Sequence, residues 1–170
     1  MSEFKNLYDE YRQDVFRFLF LLTGYQLQLA EELTQETFYQ AMLSFHKYRG
    51  DCQVKTWLCQ IAKNIYFNFI RKDKKVRQVP IEEYDSHLTL TIDSIAIDYE
   101  TKELIGNAIK VIMQLDDKTR DVLIYRIFSD LTYAQIGTLL KINENSAKVI
   151  FMRGKCKLQN KLREEYGYEI

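Results

Sequence analysis

The chain has 170 residues, 46% of them hydrophobic, with 24 basic and 24 acidic side chains. This length and composition are typical of a soluble globular protein with one domain or two small ones. No run of eighteen apolar residues occurs, which argues against transmembrane and signal segments.

Charge is unevenly distributed along the chain. Residues 46–79 hold 9 basic and 2 acidic side chains and residues 118–170 hold 10 and 6, whereas residues 1–45 hold 3 and 7 and residues 80–117 hold 2 and 9. Two basic blocks indicate two places that meet phosphate groups, and the acidic blocks indicate faces that meet something basic. The alternative is that the charge blocks arose by sequence drift in a helical protein and have no role in binding. Four alternating blocks over this length make that explanation the weaker one.

Two amphipathic helices are predicted before the first basic block, over residues 3–23 and 27–48. The inner face of the second helix is predicted to comprise Leu29, Leu33, Phe38, Ala41, Met42 and Phe45. Its N-terminal half carries Glu31, Glu32, Gln35 and Glu36. The helix dipole stabilises acids there by ~0.3–1 kcal/mol each at an exposed site, and a docking surface for a basic partner is the functional alternative.

A turn at Gly50 and Asp51 leads into a third helix that starts at Val54. Its apolar stripe is Val54, Trp57, Leu58, Ile61, Ile65 and Phe69. The opposite stripe, expected to be exposed, is Thr56, Gln60, Lys63, Asn64, Phe67, Arg71 and Lys74. Such a mixture suits single-stranded nucleic acid, because a ring stacks a base, an amide reads a base edge and cations hold phosphates. The alternative is a helix with an irregular solvent-facing surface.

The segment 79–98 shows no sustained period. It starts at Val79 and Pro80, which break any helix, and continues with acids, Ser and Thr. A short strand over 88–92 would have no partner, so a flexible acidic linker is predicted.

Helical spacing resumes over 99–115, 116–128, 133–140 and 144–164. A three-residue break between the last two helices gives the layout of a helix-turn-helix. Gly137 is small enough for a close crossing, and Ile142 fills the turn. Lys141 stands where glycine is usual, and a plain helical hairpin is the alternative. The fold class predicted is therefore all-α: two small helical domains, 1–78 and 99–170, the second a helix-turn-helix.

The last helix is predicted to be anchored by Ala147, Ile150 and Phe151 and to present side chains suited to duplex DNA. Lys and Asn match base edges or phosphates, and Val or Met can meet a thymine methyl group. The outward residues are Asn145, Lys148, Val149 and Met152, with Arg153, Lys155 and Lys157 flanking them as phosphate contacts.

Residue types that support metal binding or catalysis are sparse. Cys52, Cys59 and Cys156 form no CxxC and have no matching His pair, so reduced thiols are expected, with no metal and no cofactor. His46 and His87 lie in different segments, and no Gly-rich phosphate loop is present. An enzyme is therefore not expected.

Three motifs in order resemble those of a bacterial sigma factor of the extracytoplasmic-function type. Residues 29–38 resemble the family's acidic helix that grips the clamp helices of the largest polymerase subunit. Residues 48–64 resemble its minus-ten reading element, and residues 131–155 resemble its minus-thirty-five helix-turn-helix. This chain departs from the family at two positions of that helix: Val149 stands where a hydroxyl side chain is common, and Ile150 stands where an arginine is common.

The resemblance implies a transcription initiation factor that binds core RNA polymerase, through the clamp helices and the flap, and directs it to promoter DNA. The implied polymerase-binding residues are Glu31, Glu32, Gln35 and Glu36. The implied DNA-binding residues are Tyr48, Arg49, Lys63, Asn64, Phe67, Arg71 and Lys74 at the melted minus-ten element, and Asn145, Ser146, Lys148, Val149, Met152, Arg153 and Lys155 at the minus-thirty-five element.

The resemblance also implies an anti-sigma factor, often membrane-anchored in this family, and no small-molecule substrate. The expected location is the cytoplasm, at the nucleoid or held at the inner face of the membrane by that anti-sigma factor. The alternative function is a helix-turn-helix regulator that acts without being a polymerase subunit.

Overall fold

The structure, a computed structural model, describes residues 2–76 and 98–169. All regular structure in these two ranges is helical, which confirms the predicted fold class. The elements are α1 (Ser2–Leu22), α2 (Leu27–Ser44), a 3-10 helix (Phe45–Lys47), α3 (Val54–Val76), α4 (Tyr99–Ile112), α5 (Asp117–Phe128), α6 (Tyr133–Leu140) and α7 (Glu144–Tyr166). Apart from Asp98, the predicted linker over 79–98 lies outside the described residues, and the bounds of the two domains stay a prediction.

Helices α1, α2 and α3 pack against one another and form an N-terminal bundle. Its centre is apolar and almost fully buried, with Phe18 and Leu19 from α1, Ala30 and Phe38 from α2, and Leu58 from α3. Burying a side chain the size of Leu or Phe contributes roughly 1.5–3 kcal/mol, so these residues determine how the three helices are placed.

Helices α4 to α7 form a C-terminal bundle in which α7 contacts the other three helices. Ile112, Leu123, Ile136 and Leu162 are buried where these helices meet. Because α7 packs through one side only, its opposite side is left for other contacts.

Polar side chains define where the C-terminal helices begin. Asp98, Asp116, Thr132 and Asn143 each accept a hydrogen bond from the backbone N–H three residues later, at 2.7, 3.0, 3.2 and 2.7 Å. These caps satisfy backbone donors that a helix leaves unpaired, at typically ~1 kcal/mol each. Hydrogen bonds from the side chain and the backbone N–H of Thr101 hold the pKa of Asp98 below its ordinary range, and those from the backbone N–H and the side chain of Thr119 do the same for the pKa of Asp116.

Two of the predicted helices end in tighter turns than the sequence predicts. The predicted helix over 27–48 is α-helical only to Ser44 and tightens into the 3-10 helix, where the Tyr48 N–H donates to the Phe45 carbonyl at 3.0 Å. Helix α4 ends at Ile112 rather than at Leu115, again in i→i+3 bonds. Such tight turns satisfy the carbonyls that an α-helix leaves unpaired at its C-terminus.

Helices α6 and α7 form the predicted helix-turn-helix, with α6 closed at its C-terminus by Lys141. A Cβ atom on Gly137 would lie 2.6 Å from the Ile142 carbonyl oxygen, so only glycine allows the turn to pass this closely. Lys141 itself is left-handed, with φ 55°, a conformation in which glycine is usual.

The two bundles touch each other. Helix α1 contacts α5, α3 contacts α6, and a side-chain ion pair joins α3 to α5. In the two ranges that the structure describes, every helix is too short or too polar to span a bilayer.

Candidate nucleic-acid and polymerase interfaces

The exposed side of α7 presents the side chains that the sequence assigns to duplex DNA. Asn145, Lys148, Val149, Met152, Arg153 and Lys155 are exposed, and Ser146 is half-buried. Val149 and Met152 stand out because they are apolar and yet 43% and 52% exposed. Buried Ala147 and half-buried Ile150 and Phe151 hold the helix from behind. The result is one continuous surface of cations, an amide and two apolar side chains.

The loop before α3 is held by aromatic packing. The rings of Tyr48 and Trp57 have centroids 5.0 Å apart, and Phe45 lies 6.2 Å from Trp57. The Tyr48 hydroxyl donates a hydrogen bond to the Cys52 carbonyl, which closes the loop. Trp57 is half-buried, in keeping with the core position predicted for it. Arg49, which follows Tyr48 in the chain, is exposed.

A groove of about 590 Å³ lies between α2 and α3. Its polar lining includes Glu36 and Gln40 from α2, and Asn64, Asn68 and Lys72 from α3. The groove therefore brings a predicted polymerase contact, Glu36, and a predicted DNA contact, Asn64, to the same place. Its apolar floor includes Leu33, Ile61, Ile65 and Phe69.

Sequence reasoning missed Gln40, Asn68 and Lys72 as members of this site. The signal was present, because Asn64, Asn68 and Lys72 recur every four residues and so share one side of a helix. Asn68 also accepts a hydrogen bond from the Arg71 guanidinium at 2.9 Å, and Arg71 itself is exposed.

The expectation that one whole stripe of α3 is exposed is wrong. Thr56, Lys63 and Phe67 are buried, Gln60 is half-buried, and only Asn64 and Arg71 of the described members are exposed. The side chain of Lys74 lies outside the described residues. The reason is that α3 packs on two sides, against its own bundle and against the second one. The roles of Lys63 and Phe67 in DNA binding stay a prediction.

The exposed side of α2 combines an acidic part and an apolar part. Glu32, Gln35 and Glu36 are exposed and Glu31 is half-buried. Amides brace two of these acids, since Gln28 donates to Glu32 at 3.3 Å and Gln40 donates to Glu36 at 2.9 Å.

One turn further along α2, three apolar side chains lie in the open: Tyr39, Met42 and Leu43. Met42 was predicted to face inward and is 48% exposed, so that prediction is wrong. Phe38 and Ala41 are buried on the inner face at that point, whereas Met42 lines an open groove with Phe4 and Tyr8. The helix thus offers acids followed by an apolar patch to a partner.

Two family descriptions match this chain: "Sigma-70 region 2" over residues 7–76 and "Sigma-70, region 4" over residues 106–158. Among curated proteins, the chain is 31% identical to the ECF RNA polymerase sigma factor SigM of Bacillus subtilis, covering 90% of this chain and 91% of that protein. It is 29% identical to SigX, also an ECF RNA polymerase sigma factor of Bacillus subtilis, covering 95% of this chain and 86% of SigX.

Solved structures share the fold. The sigma factor RpoE of Bartonella quintana, crystallised with the anti-sigma factor NepR, superposes with a TM-score of 0.62 at 20% identity, covering 96% of this chain and 98% of RpoE. CnrH, solved with the cytosolic domain of CnrY, also gives a TM-score of 0.62, at 14% identity, covering 95% of this chain and 88% of CnrH.

Proposed function

Because the chain belongs to the extracytoplasmic-function family of sigma factors, which direct RNA polymerase to promoters, we propose that it reads two promoter elements in two states of DNA. The N-terminal domain, residues 1–78, binds the polymerase and the melted minus-ten element. The C-terminal domain, residues 99–170, binds the paired minus-thirty-five element. Catalysis belongs to the polymerase.

Reading of the paired element is supported by the outer side of α7. An α-helix fits the major groove of B-DNA, where Lys and Asn find acceptors and donors on base edges and Val or Met can meet a thymine methyl group. Lys148 and Asn145 lie at the N-terminal end of α7, the end that helix-turn-helix proteins direct at the bases. Arg153 and Lys155 then follow toward the phosphates.

Reading of the melted element is supported by the groove between α2 and α3. Its volume of about 590 Å³ falls within the range of roughly 300–1,000 Å³ typical of small-molecule sites, so an extruded base fits. Asn64 and Asn68 supply amides for a Watson–Crick edge, and Lys72 and Arg71 supply charge for the backbone. Arg49 is exposed on the loop that precedes the helix.

Binding of core polymerase is assigned to α2. Glu32, Gln35 and Glu36 form an exposed acidic and amide surface, and the apolar side chains of Met42 and Leu43 extend it. A buried apolar centre with charges around it is the usual composition of a protein interface. The region 2 match over residues 7–76 favours this assignment over a helix-turn-helix regulator that acts without polymerase.

An anti-sigma factor is proposed as a further partner, because RpoE of Bartonella quintana, which shares this fold, was crystallised with the anti-sigma factor NepR. The sites of action are then the nucleoid and, where the anti-sigma factor is membrane-anchored, the inner face of the membrane.

Transcription in vitro tests the proposal. Core polymerase with this chain is expected to start RNA from a cognate promoter, and a failure to bind core would end the idea. Asn64→Ala should weaken open-complex formation, with the loss of roughly 1–3 kcal/mol expected for a base-edge contact, while core binding is retained. Asn6→Ala, at an exposed position of α1, is the matched control. Equal loss of core binding and opening by the Asn64 variant would indicate misfolding instead.

A further inference from the structure

Helix α3 is joined to α5 by a buried ion pair between residues 58 positions apart in the chain. The Lys63 Nζ donates to the Asp121 Oδ2 at 2.6 Å, and only 9% and 13% of the two side chains are exposed. A buried charge is tolerated when an opposite charge satisfies it, so the buried ammonium group of Lys63 depends on a carboxylate of the other bundle.

Aromatic rings and a second cation enclose this pair. The Arg120 guanidinium lies 4.4 Å from the centroid of the Phe67 ring and also donates to Asp121 Oδ1 at 3.2 Å. The Lys63 Nζ lies 5.4 Å from the Phe67 ring and 5.0 Å from the Tyr125 ring. We call these five residues the interbundle cluster. The Asp121 carboxylate therefore pairs with both Lys63 and Arg120, and the rings of Phe67 and Tyr125 lie against these cations.

The cluster contains Lys63 and Phe67, two side chains of α3 that the sequence predicts to contact single-stranded DNA. A ring stacks a base only through a free face, and a lysine holds a phosphate only when its ammonium group is accessible. Phe67 is 7% exposed and has Arg120 over its ring, and Lys63 is already paired. Asn64 and Arg71 remain exposed beside them. In this arrangement α5 covers part of the predicted DNA-contact face of α3.

We propose that the interbundle cluster is an autoinhibitory contact: it holds the two bundles closed over α3, and its separation frees Lys63 and Phe67 for the melted strand. The inference rests on the proposed role of α3 as the strand-reading helix. A closed state lowers apparent affinity in proportion to the fraction of open molecules. A buried ion pair suits such a contact because desolvation offsets much of its attraction, so the closed state is specific without being hard to open.

Asp121→Asn is the main test, because it leaves the size of the side chain unchanged and removes the charge that neutralises Lys63. Asp117→Asn is the matched control: Asp117 pairs with the same Arg120 at 2.9 Å, but its side chain is 90% exposed and this ion pair lies within α5. The full-length variants are compared by small-angle X-ray scattering and by equilibrium binding of a fluorescent, random-sequence DNA single strand.

Asp121→Asn is expected to increase the radius of gyration and to tighten strand binding by about 5- to 150-fold, the usual range for coupled sites. Asp117→Asn should change neither quantity. An unchanged radius of gyration would overturn the inference. Expansion without tighter binding would also overturn it, and would count against the strand-reading role of Lys63 and Phe67.

A charge exchange keeps the inference testable if Asp121→Asn does not fold. Lys63→Asp places two carboxylates together and should open the protein, and adding Asp121→Lys should close it again. This comparison uses scattering alone, because Lys63 belongs to the proposed DNA surface. Expansion in both the single and the double variant would overturn the pair as the closing contact. Transcription with core polymerase is scored separately, so failure of the proposed function is recognised independently.

Discussion

Replacement of Gly137 by alanine tests whether the helix-turn-helix depends on one close approach. The added Cβ would lie 2.6 Å from the Ile142 carbonyl oxygen and 3.4 Å from the Asn143 carbonyl carbon. Because both atoms belong to the backbone of the turn, no side-chain rotation relieves the clash. Relief requires α6 and the start of α7 to move apart.

The magnitude follows from two opposing effects. Alanine is favoured over glycine inside a helix by ~0.8–1 kcal/mol, whereas overpacking of a tight contact costs about 1–3 kcal/mol. The net cost therefore lies between about 0 and 2 kcal/mol. Because the clash is with backbone atoms, Gly137→Ala is expected to destabilise the protein by the upper half of that range, about 1–2 kcal/mol. Gly106, inside α4, has no atom near its would-be Cβ. Gly106→Ala should therefore stabilise by ~0.8–1 kcal/mol.

Chemical and thermal denaturation followed by circular dichroism measures both variants. Both glycines, like Gly154, lie in the C-terminal bundle, and for a domain of roughly 60–100 residues a change of about 1 kcal/mol in stability corresponds to roughly 4–8 °C in Tm. Gly154→Ala should fall between the other two, because its Cβ would meet the side chain of Thr119 at 2.7 Å, and a side chain can shift. If Gly137→Ala were as stable as Gly106→Ala, the close crossing would not be what the turn requires.

Three further outcomes are expected. Lys148→Ala should weaken upstream promoter binding by about 1–3 kcal/mol and relax specificity at the base that it contacts; an unchanged upstream footprint would contradict its role. Reversing Glu32 and Glu36 to lysine should abolish association with core polymerase, and undisturbed co-purification would remove α2 from the interface. Burial raises the pKa of the Cys59 thiol to about 12, so at neutral pH iodoacetamide should modify exposed Cys156 and leave Cys59 intact until the protein unfolds. Mass spectrometry of peptides from native protein that shows early modification of Cys59 would contradict its burial.

Local signals were sufficient to predict most helix positions. Helices were predicted to begin at residues 116 and 133, and Asp116 and Thr132 cap the helices found there. The break over 141–143 and the small Gly137 predicted the crossing of α6 and α7. Such features depend on residues three or four positions apart, and periodicity detects these neighbours.

Contacts between distant segments were not predictable in the same way. Lys63 and Phe67 fit an exposed stripe by spacing and by residue type, and nothing nearby in the chain shows that Asp121 and Arg120 meet them. Met42 fits an apolar stripe, but whether its inner neighbours already fill the space depends on packing. The positions of Asn145, Lys148 and Met152 were predicted correctly as exposed, because Ala147, predicted as an anchor, is buried and marks the inner side of α7 near these residues.

The side-chain amide of Gln135 belongs to the N-terminal cap of α6 and also bonds to Gln53, the residue that precedes α3. Its carbonyl oxygen accepts from the Thr132 N–H at 2.8 Å, within the capping box, and its Nε2 donates to Gln53 Oε1 at 2.8 Å. Glutamate at this position would preserve the cap and lose the donor. Exchange of a single nitrogen for oxygen would therefore remove one hydrogen bond between the bundles and leave the capping box of α6 in place.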